Sequence, residues 1–333
     1  LAPDRTIKGV SDFYAYVAVR RPPLEEAYNR RLSALLDGIK TEDMAPLMLS
    51  LQAGKKIRGC LSCLVCEALG GPLEQAIPRA VAVEMIQAAT LIHDDFVDQD
   101  AVRGGRPAVW TLEGPRRAVL IGDVIFAAAI KMMSDISAED GRAVADAIAS
   151  VSRGALQEPL DPLALAENIE SGDSCGRLYD GIVRLKTGTL FGIACTLGAI
   201  AAGRSGRAVE TCYRYGLWIG EAYQIADDVK EVKECLSRRL MDARQMAAIA
   251  PALLRFVPDM RPFVLDVLRR DRSGHGDGDR ELLKRAARLM EDAIDQRQRA
   301  AAAEIERNFP GNGYSGVARR APRDIVAIFN ESP

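Results

Sequence analysis

Histidine is almost missing from this chain, with two in 333 residues. So few imidazoles leave little scope for a histidine-based zinc site. Aromatic residues are scarce at 5%, and runs of β-branched residues are short. The chain therefore lacks the usual material of a sheet protein. Positive charge is not in excess: 44 Lys and Arg stand against 46 Asp and Glu, a formal net charge of −2. A nucleic-acid footprint needs a strong basic excess, so that class is excluded. Any anionic ligand must be met by a local cluster of cations. No uninterrupted apolar run approaches the roughly 20 residues of a membrane span. The opening "LAPDRTIKGVSDFYAY" has no apolar core of a secretion signal. The expectation from these absences is a soluble cytoplasmic protein.

Seven cysteines are present. Cys60, Cys63 and Cys66 have the C-x-x-C-x-x-C spacing of some metal sites. The same spacing puts three thiols along one flank of the apolar helix "CLSCLVCEALG", where free cysteine behaves as a small hydrophobe. Helical core is the stronger reading.

Helix formers are abundant. Apolar residues recur at helical spacing over 23–39, 76–98, 114–136, 141–156, 181–203, 208–236, 242–257 and 280–309. The first of these starts at Pro23, a favoured first helical position. Breaks fall at "RGGRPAV" (103–109), "EPLDP" (158–162) and "RRDRSGHGDGDR" (269–280). No alternating strand pattern is visible. The expected fold is all-α, a single-domain bundle of about ten or more helices spanning 1–333. Its motif-bearing core lies at 50–232 and a helical C-terminal part at 240–310.

Two acidic clusters carry the chemistry. "LIHDDFVDQD" holds Asp94, Asp95 and Asp98 at i, i+1 and i+4, and "YQIADDVKE" repeats the spacing with Asp227, Asp228 and Glu231. On a helix, i and i+4 share a face. One such cluster is as readily a solvated helix end as a site. Two of matched spacing, each after an apolar helix, point to a bound cation. Oxygen-only ligands suit Mg²⁺ or Mn²⁺, which are held by a few carboxylates together with substrate phosphates. Cations for a diphosphate are offered by Lys55, Lys56 and Arg58, by Arg103 and Arg106, and by Arg184 and Lys186.

In these residues the chain resembles the trans-isoprenyl (polyprenyl) diphosphate synthases, and geranylgeranyl diphosphate synthases in particular. Gly54, Lys55 and Arg58 match the family's Gly-Lys-x-x-Arg element. "HDDFVD" matches its first aspartate-rich motif, and Lys186 and Thr187 its Lys-Thr element. Gly220, Tyr223, Gln224, Asp227 and Asp228 match Gly-x-x-Phe-Gln-x-x-Asp-Asp. The resemblance implies helices packed around a central apolar cavity, and a homodimer. It implies about three Mg²⁺ ions assisting ionisation of a C5–C15 allylic diphosphate. The double bond of isopentenyl diphosphate then attacks the cation, and a proton is lost. By the same resemblance Asp94, Asp98 and Asp227 are direct metal ligands, and Asp95, Asp228 and Glu231 complete the metal shells. Arg103 and Lys186 grip the allylic diphosphate, and Thr187 and Gln224 line its site. Lys55, Arg58 and Gln87 bind isopentenyl diphosphate.

Three departures stand out. Gly104 occupies the place of a second arginine, for which Arg106 is the available substitute. Glu231 ends the second motif in place of aspartate. The Gly-Lys-Pro loop expected after it is absent from "VKECLSRRLMDARQMAAIAP", where Lys233, Arg238, Arg239 and Arg244 are the nearby cations. These losses fall mainly on substrate closure and the isopentenyl diphosphate site. They leave two further readings: a class I terpene cyclase or lyase, and a regulatory subunit of a heteromeric synthase. In the family, residues a turn or more before the first motif set product length. Ala89 and Thr90 are small there, so deeper side chains such as Met85 and Phe126 would form the floor, giving a C20 or longer product.

Overall fold

Asp12 opens the first helix by accepting a hydrogen bond from the Ala15 amide at 2.8 Å, the usual N-cap contact. The computed structural model describes residues 10–38, 44–159, 161–172, 175–237, 242–270 and 276–330. Helix α1 runs Phe13–Leu36 and passes through Pro22 and Pro23. The start expected at Pro23 is thus ten residues late. Phe13 and Tyr16 are fully buried, and the Tyr16 ring lies edge-on to Tyr314 at 6.0 Å. Burial of two aromatics outweighs the helix bonds that two prolines remove.

The chain continues through α2 (Met44–Leu51), α3 (Ile57–Ala68) and α4 (Leu73–Val97). A two-residue hairpin follows, β1 (Val102–Arg103) and β2 (Arg106–Pro107), then α5 (Val109–Glu113), α6 (Pro115–Ser134) and α7 (Ala138–Ala155). Next come α8 (Pro162–Glu170), α9 (Cys175–Ile182), a π-helical turn at Val183–Gly188, and α10 (Thr189–Ala201). Helix α11 (Arg207–Ser237) is followed by α12 (Ala243–Phe256), a 3₁₀ turn at Pro258–Met260, α13 (Arg261–Leu268), α14 (Asp277–Asn308) and α15 (Gly313–Asn330). The all-α expectation holds. The hairpin, the short helices α2, α5, α8 and α13, and α15 were not foreseen. Gly313, Gly316 and Pro322 disguise α15, although Val317, Ala318, Ala321 and Ile325 bury one face of it.

Helix α10 is buried along nearly its whole length and packs against α3, α4, α7 and α11. It is the axis of the larger apolar core. Cys60, Cys63 and Cys66 belong to that core, and burial raises all three thiols. A second core forms among α8, α9, α12, α13 and α14. Helix α11 joins the two: Cys212, Tyr215 and Ile219 enter the first, and Ala222, Ile225, Val229 and Val232 the second. The run Gly176–Ala201 has the length and composition to cross a membrane, yet 83% of its most apolar 18-residue window is buried inside the fold. Its apolarity is accounted for by core packing.

A buried ion pair ties α4 to α7. Arg79 donates from Nε and Nη2 to both oxygens of Asp140 at 2.7 and 2.8 Å, and Ser137 donates to Oδ2 at 2.7 Å. Removing one partner strands a charge in the core. Arg79→Met is therefore expected to destabilise the fold by about 3–5 kcal/mol. Urea unfolding of the two proteins checks this, and a loss below about 1 kcal/mol would contradict it.

Candidate active site

Helix α4 ends in acids. Asp94 and Asp95 stand in its last turn, and Asp98 is its C-cap, with its amide on the Asp94 carbonyl at 2.8 Å. The C-terminus of a helix carries partial negative charge, so carboxylates there are doubly unfavourable. A local cation is needed. Arg103, on β1, supplies one by pairing with the buried Asp95, and it stands 3.9 Å from Asp100. Burial still raises the carboxyls of Asp95 and Asp98 above the ordinary range.

The second cluster lies on α11. Asp227 and Asp228 are half-buried, and Glu231 sits one turn on at the exposed rim. Desolvation, reinforced by repulsion from neighbouring carboxylates including Asp227 and Glu158, raises Asp228 and Glu231 to about 7. Asp227 is also raised, first by burial. Lys186 stands between the clusters. Its ammonium pairs with Glu158, lies 4.0 Å from Asp94, and its charge acts on Asp98 and Asp227.

Lys186 and Thr187 sit in the π-helical turn, where one extra residue bulges the helix; such turns occur often at functional sites. From that turn a chain of contacts runs to α11. Thr187 donates to Gln224 at 2.6 Å, Gln224 donates to Asp228 at 2.9 Å, and Tyr179 donates to the other Asp228 oxygen at 2.5 Å. Gly220 makes this approach possible. A Cβ there would fall 2.8 Å from the Gly188 Cα and 2.9 Å from the Phe191 Cβ.

Glu158 and Tyr179 were not anticipated. Glu158 follows α7 in a stretch with no motif. Tyr179 lies seven residues before Lys186. That is two helical turns, a weak signal that the inserted π residue further blurs.

The remaining expected residues divide. The Arg58 guanidinium lies 4.4 Å from the Phe191 ring and 5.8 Å from that of Tyr223. Its Nε is buried without a hydrogen-bond partner, and burial lowers its pKa. An unmet buried donor fits a place reserved for an anion. Lys55 is exposed and donates to the Ile328 carbonyl at 2.8 Å. Gln87 is half-buried on α4. Lys56 is structural: its ammonium caps the carbonyls of Gln52 and Ala53 and lies 4.4 Å from the Tyr28 ring.

"RGGRP" is a tight hairpin, with Val102 opposite Pro107 and Arg103 opposite Arg106. Gly104 and Gly105 have φ of +55° and +74°, the signs a type I′ turn demands. A second arginine at 104 would be strained. Arg106 donates instead to the Leu49 carbonyl on α2, so its guanidinium braces the hairpin. Lys233 is paired with Glu291 at 2.6 Å. Arg238 and Arg239 lie outside the described residues. Met85 and Ala89 are fully buried in the larger core. Thr90 is half-buried and donates to the Gln87 carbonyl at 2.8 Å. Phe126 packs edge-on against His93 at 5.5 Å.

Among the described residues no three His, Cys, Asp or Glu side chains converge to enclose an ion by themselves. The donor set is nevertheless right for a hard divalent cation. Six carboxylates line one cleft, several of them resisting ionisation, with no sulfur and no imidazole among them. Such ions are commonly completed by ligand phosphate oxygens and water. Asp94, Asp98 and Asp227 are the residues suited to hold them, with Asp228 fixed by its two neutral donors.

A family model described as polyprenyl synthetase matches residues 43–239. The chain is similar to a geranylgeranyl pyrophosphate synthase of Geoglobus acetivorans, 34% identical over 182 residues, covering 54% of this chain and 56% of that protein. It is similar to a short chain isoprenyl diphosphate synthase of Methanothermobacter thermautotrophicus, 32% identical over 250 residues, covering 72% and 73%. The matched stretch thus spans little more than half of the first relative. Among solved structures, a decaprenyl diphosphate synthase from Rhodobacter capsulatus superposes with a TM-score of 0.68 at 24% identity, over 94% of this chain and 98% of that one. The shared fold is the helical one described above.

The raised carboxyls make a pH prediction. Asp228 and Glu231, near 7 when folded, bind protons more tightly than in the unfolded chain. Their contribution to stability is full below about pH 4 and is lost as pH rises through about 7. A divalent cation competes with those protons. Saturating Mg²⁺ is expected to raise the unfolding temperature more at about pH 8 than at about pH 6. Asp228→Asn with Glu231→Gln should flatten the difference. Equal shifts at both pH values in the unaltered protein would refute the assignment.

Proposed function

The chain belongs to the polyprenyl synthetase family, and from that premise we propose that it is a trans-prenyltransferase joining isopentenyl diphosphate to a C5–C15 allylic diphosphate. The observation that carries the reading is the position of Lys186, whose charge reaches both acidic clusters from a π-helical turn.

The chain's residues divide the work. Lys186 and Arg103 bind the allylic diphosphate and hold its negative charge as it departs. Divalent cations between the clusters would supply Lewis-acid neutralisation of that leaving group. Thr187 and Gln224 set the cleft wall, with Thr187 donating to Gln224, and so turn fixed dipoles toward the reacting carbons. Arg58, with Lys55 and Gln87, binds isopentenyl diphosphate so that its double bond meets the allylic carbon. Releasing Lys55 from the Ile328 carbonyl is part of that binding. The buried apolar walls around Met85 and Ala89 exclude water, which would otherwise trap the carbocation. No side chain is assigned to the final proton loss; the released diphosphate is a sufficient base.

The cation is Mg²⁺, with Mn²⁺ as a substitute, and the product is C20 geranylgeranyl diphosphate or longer. The chain acts as a single domain, as a homodimer, in the cytoplasm. Small side chains at Ala89 and Thr90 support a product longer than C15, and Met85 and Phe126 set its floor.

Incubating the purified protein with Mg²⁺, labelled isopentenyl diphosphate and a C5, C10 or C15 allylic diphosphate is expected to yield longer diphosphates. Asp94→Ala and Asp227→Ala should each lower kcat/KM by at least about 10²-fold. Hydrocarbons or alcohols without isopentenyl incorporation would instead make it a cyclase or lyase. Turnover only with a second subunit would make it a regulatory partner. Met85→Ala or Phe126→Ala should lengthen the product, and an unchanged product spectrum in both would remove the proposed floor.

A further inference from the structure

Outside the acidic cleft, the two C-terminal helices build a second cavity with arginines along its walls. It lies between α14 and α15 and measures about 590 Å³. The two helices present matched stripes to it. Arg299, Ala302 and Glu306 lie at i, i+3 and i+7 on α14. Gly316, Arg319, Arg320 and Arg323 lie at i, i+3, i+4 and i+7 on α15. That spacing keeps each set on one face. None of the residues of the acidic cleft lines this cavity.

The charge is one-sided. Four arginines meet one carboxylate, Glu306, whose oxygen lies 2.8 Å from the Arg319 Nε. Arg320 acts electrostatically on Asp12 and Asp324. Arg299 and Arg323 have no ion pair among the described residues. Arg299 and Arg323 thus add positive charge beside the Arg319–Glu306 pair that no carboxylate balances, which favours an anion there. The floor is open and small: Ala302 is half-buried, and a Cβ built on Gly316 would meet nothing within 4 Å.

A second observation points to a ligand. Gln298 lines the same cavity and is 8% exposed. Its amide makes no hydrogen bond among the described residues and is not sealed in the core. It lies beside the arginines, where a bound molecule can pair with it.

We propose that the α14–α15 cavity is a binding site, separate from the acidic cleft, for a small molecule bearing a chain of two or more phosphates. Arginine forks match phosphate oxygens in charge and geometry. The volume admits a diphosphate with an attached organic group. The Gln298 amide reads a polar atom of that group. Inorganic diphosphate, a nucleotide and a prenyl diphosphate share this chemistry, and the experiment separates them.

Binding of inorganic diphosphate, ADP and geranylgeranyl diphosphate to the full chain is measured by calorimetry in excess EDTA, where cation-dependent binding in the acidic cleft is suppressed. At least one of the three is expected to bind one site per chain, tighter than about 1 mM. Arg299→Glu with Arg323→Glu should weaken that binding at least about tenfold, and Lys186→Ala should leave it unchanged. Gln298→Leu, which alters no charge, should weaken it about threefold to tenfold and keeps the test alive should the double variant fail to fold. The tightest of the three ligands identifies the source. Four results overturn the site: no saturable binding, loss in Lys186→Ala with retention in the groove variants, indifference to Gln298→Leu and the charge reversal alike, or binding confined to anionic vesicles or RNA.

Discussion

Repulsion among carboxylates is the constraint on which the rest of this molecule depends. Two helices deliver acids to one cleft, one of them at its own negative end. Water cannot screen them fully, since burial is the largest cause of every raised carboxyl there. Coulomb energies between partly buried charges reach several kcal/mol at about 4 Å. Lys186 and Arg103 offset part of that cost. The remainder is repulsion that a bound cation would relieve.

The scaffold serves to hold this unfavourable arrangement in place. Helix α10 is buried along nearly its whole length and fixes the π-helical turn that precedes it. Helix α11 is anchored in both apolar cores and cannot retreat. Gly220 lets the two approach to within reach of the Thr187, Gln224 and Asp228 contacts. Asp228 accepts from two neutral donors, which lowers its affinity for protons without introducing another cation. It stays oriented whether or not it is ionised.

Much of this was legible in the sequence. Helical periodicity located α4, α11, α12 and α14 closely, because each has a long stripe of buried residues. The paired acid clusters and Lys186 were visible because their spacing matches the helical repeat. Other features left weaker traces. The start of α1 was hidden because prolines argue against a helix that tertiary packing imposes. Helix α15 was hidden by its glycines. Glu158 was hidden because it reaches Lys186 through space, 28 residues away in the chain. The hairpin explains what the sequence could only flag as a gap. Gly104 is where backbone conformation, with φ of +55°, excludes an arginine. Arg106 was the obvious replacement, and its Leu49 contact shows that nearness in sequence does not fix where a guanidinium goes.

The π-helical turn sets the phase between two halves of one continuous helical rod. One residue of insertion rotates everything before it by about 100° relative to everything after it. Tyr179 lies upstream of the turn and Lys186 within it, and both serve the same cleft. Seven residues apart, the two would share a face on a regular helix to within about 20°. What the bulge sets is the angle between that face and the buried face of α10 that follows. One segment thus presents an ammonium and a carboxylate-orienting phenol to one centre while its continuation fills the core, and a single-residue deletion at 187 or 188 would turn both side chains relative to α10 without removing either.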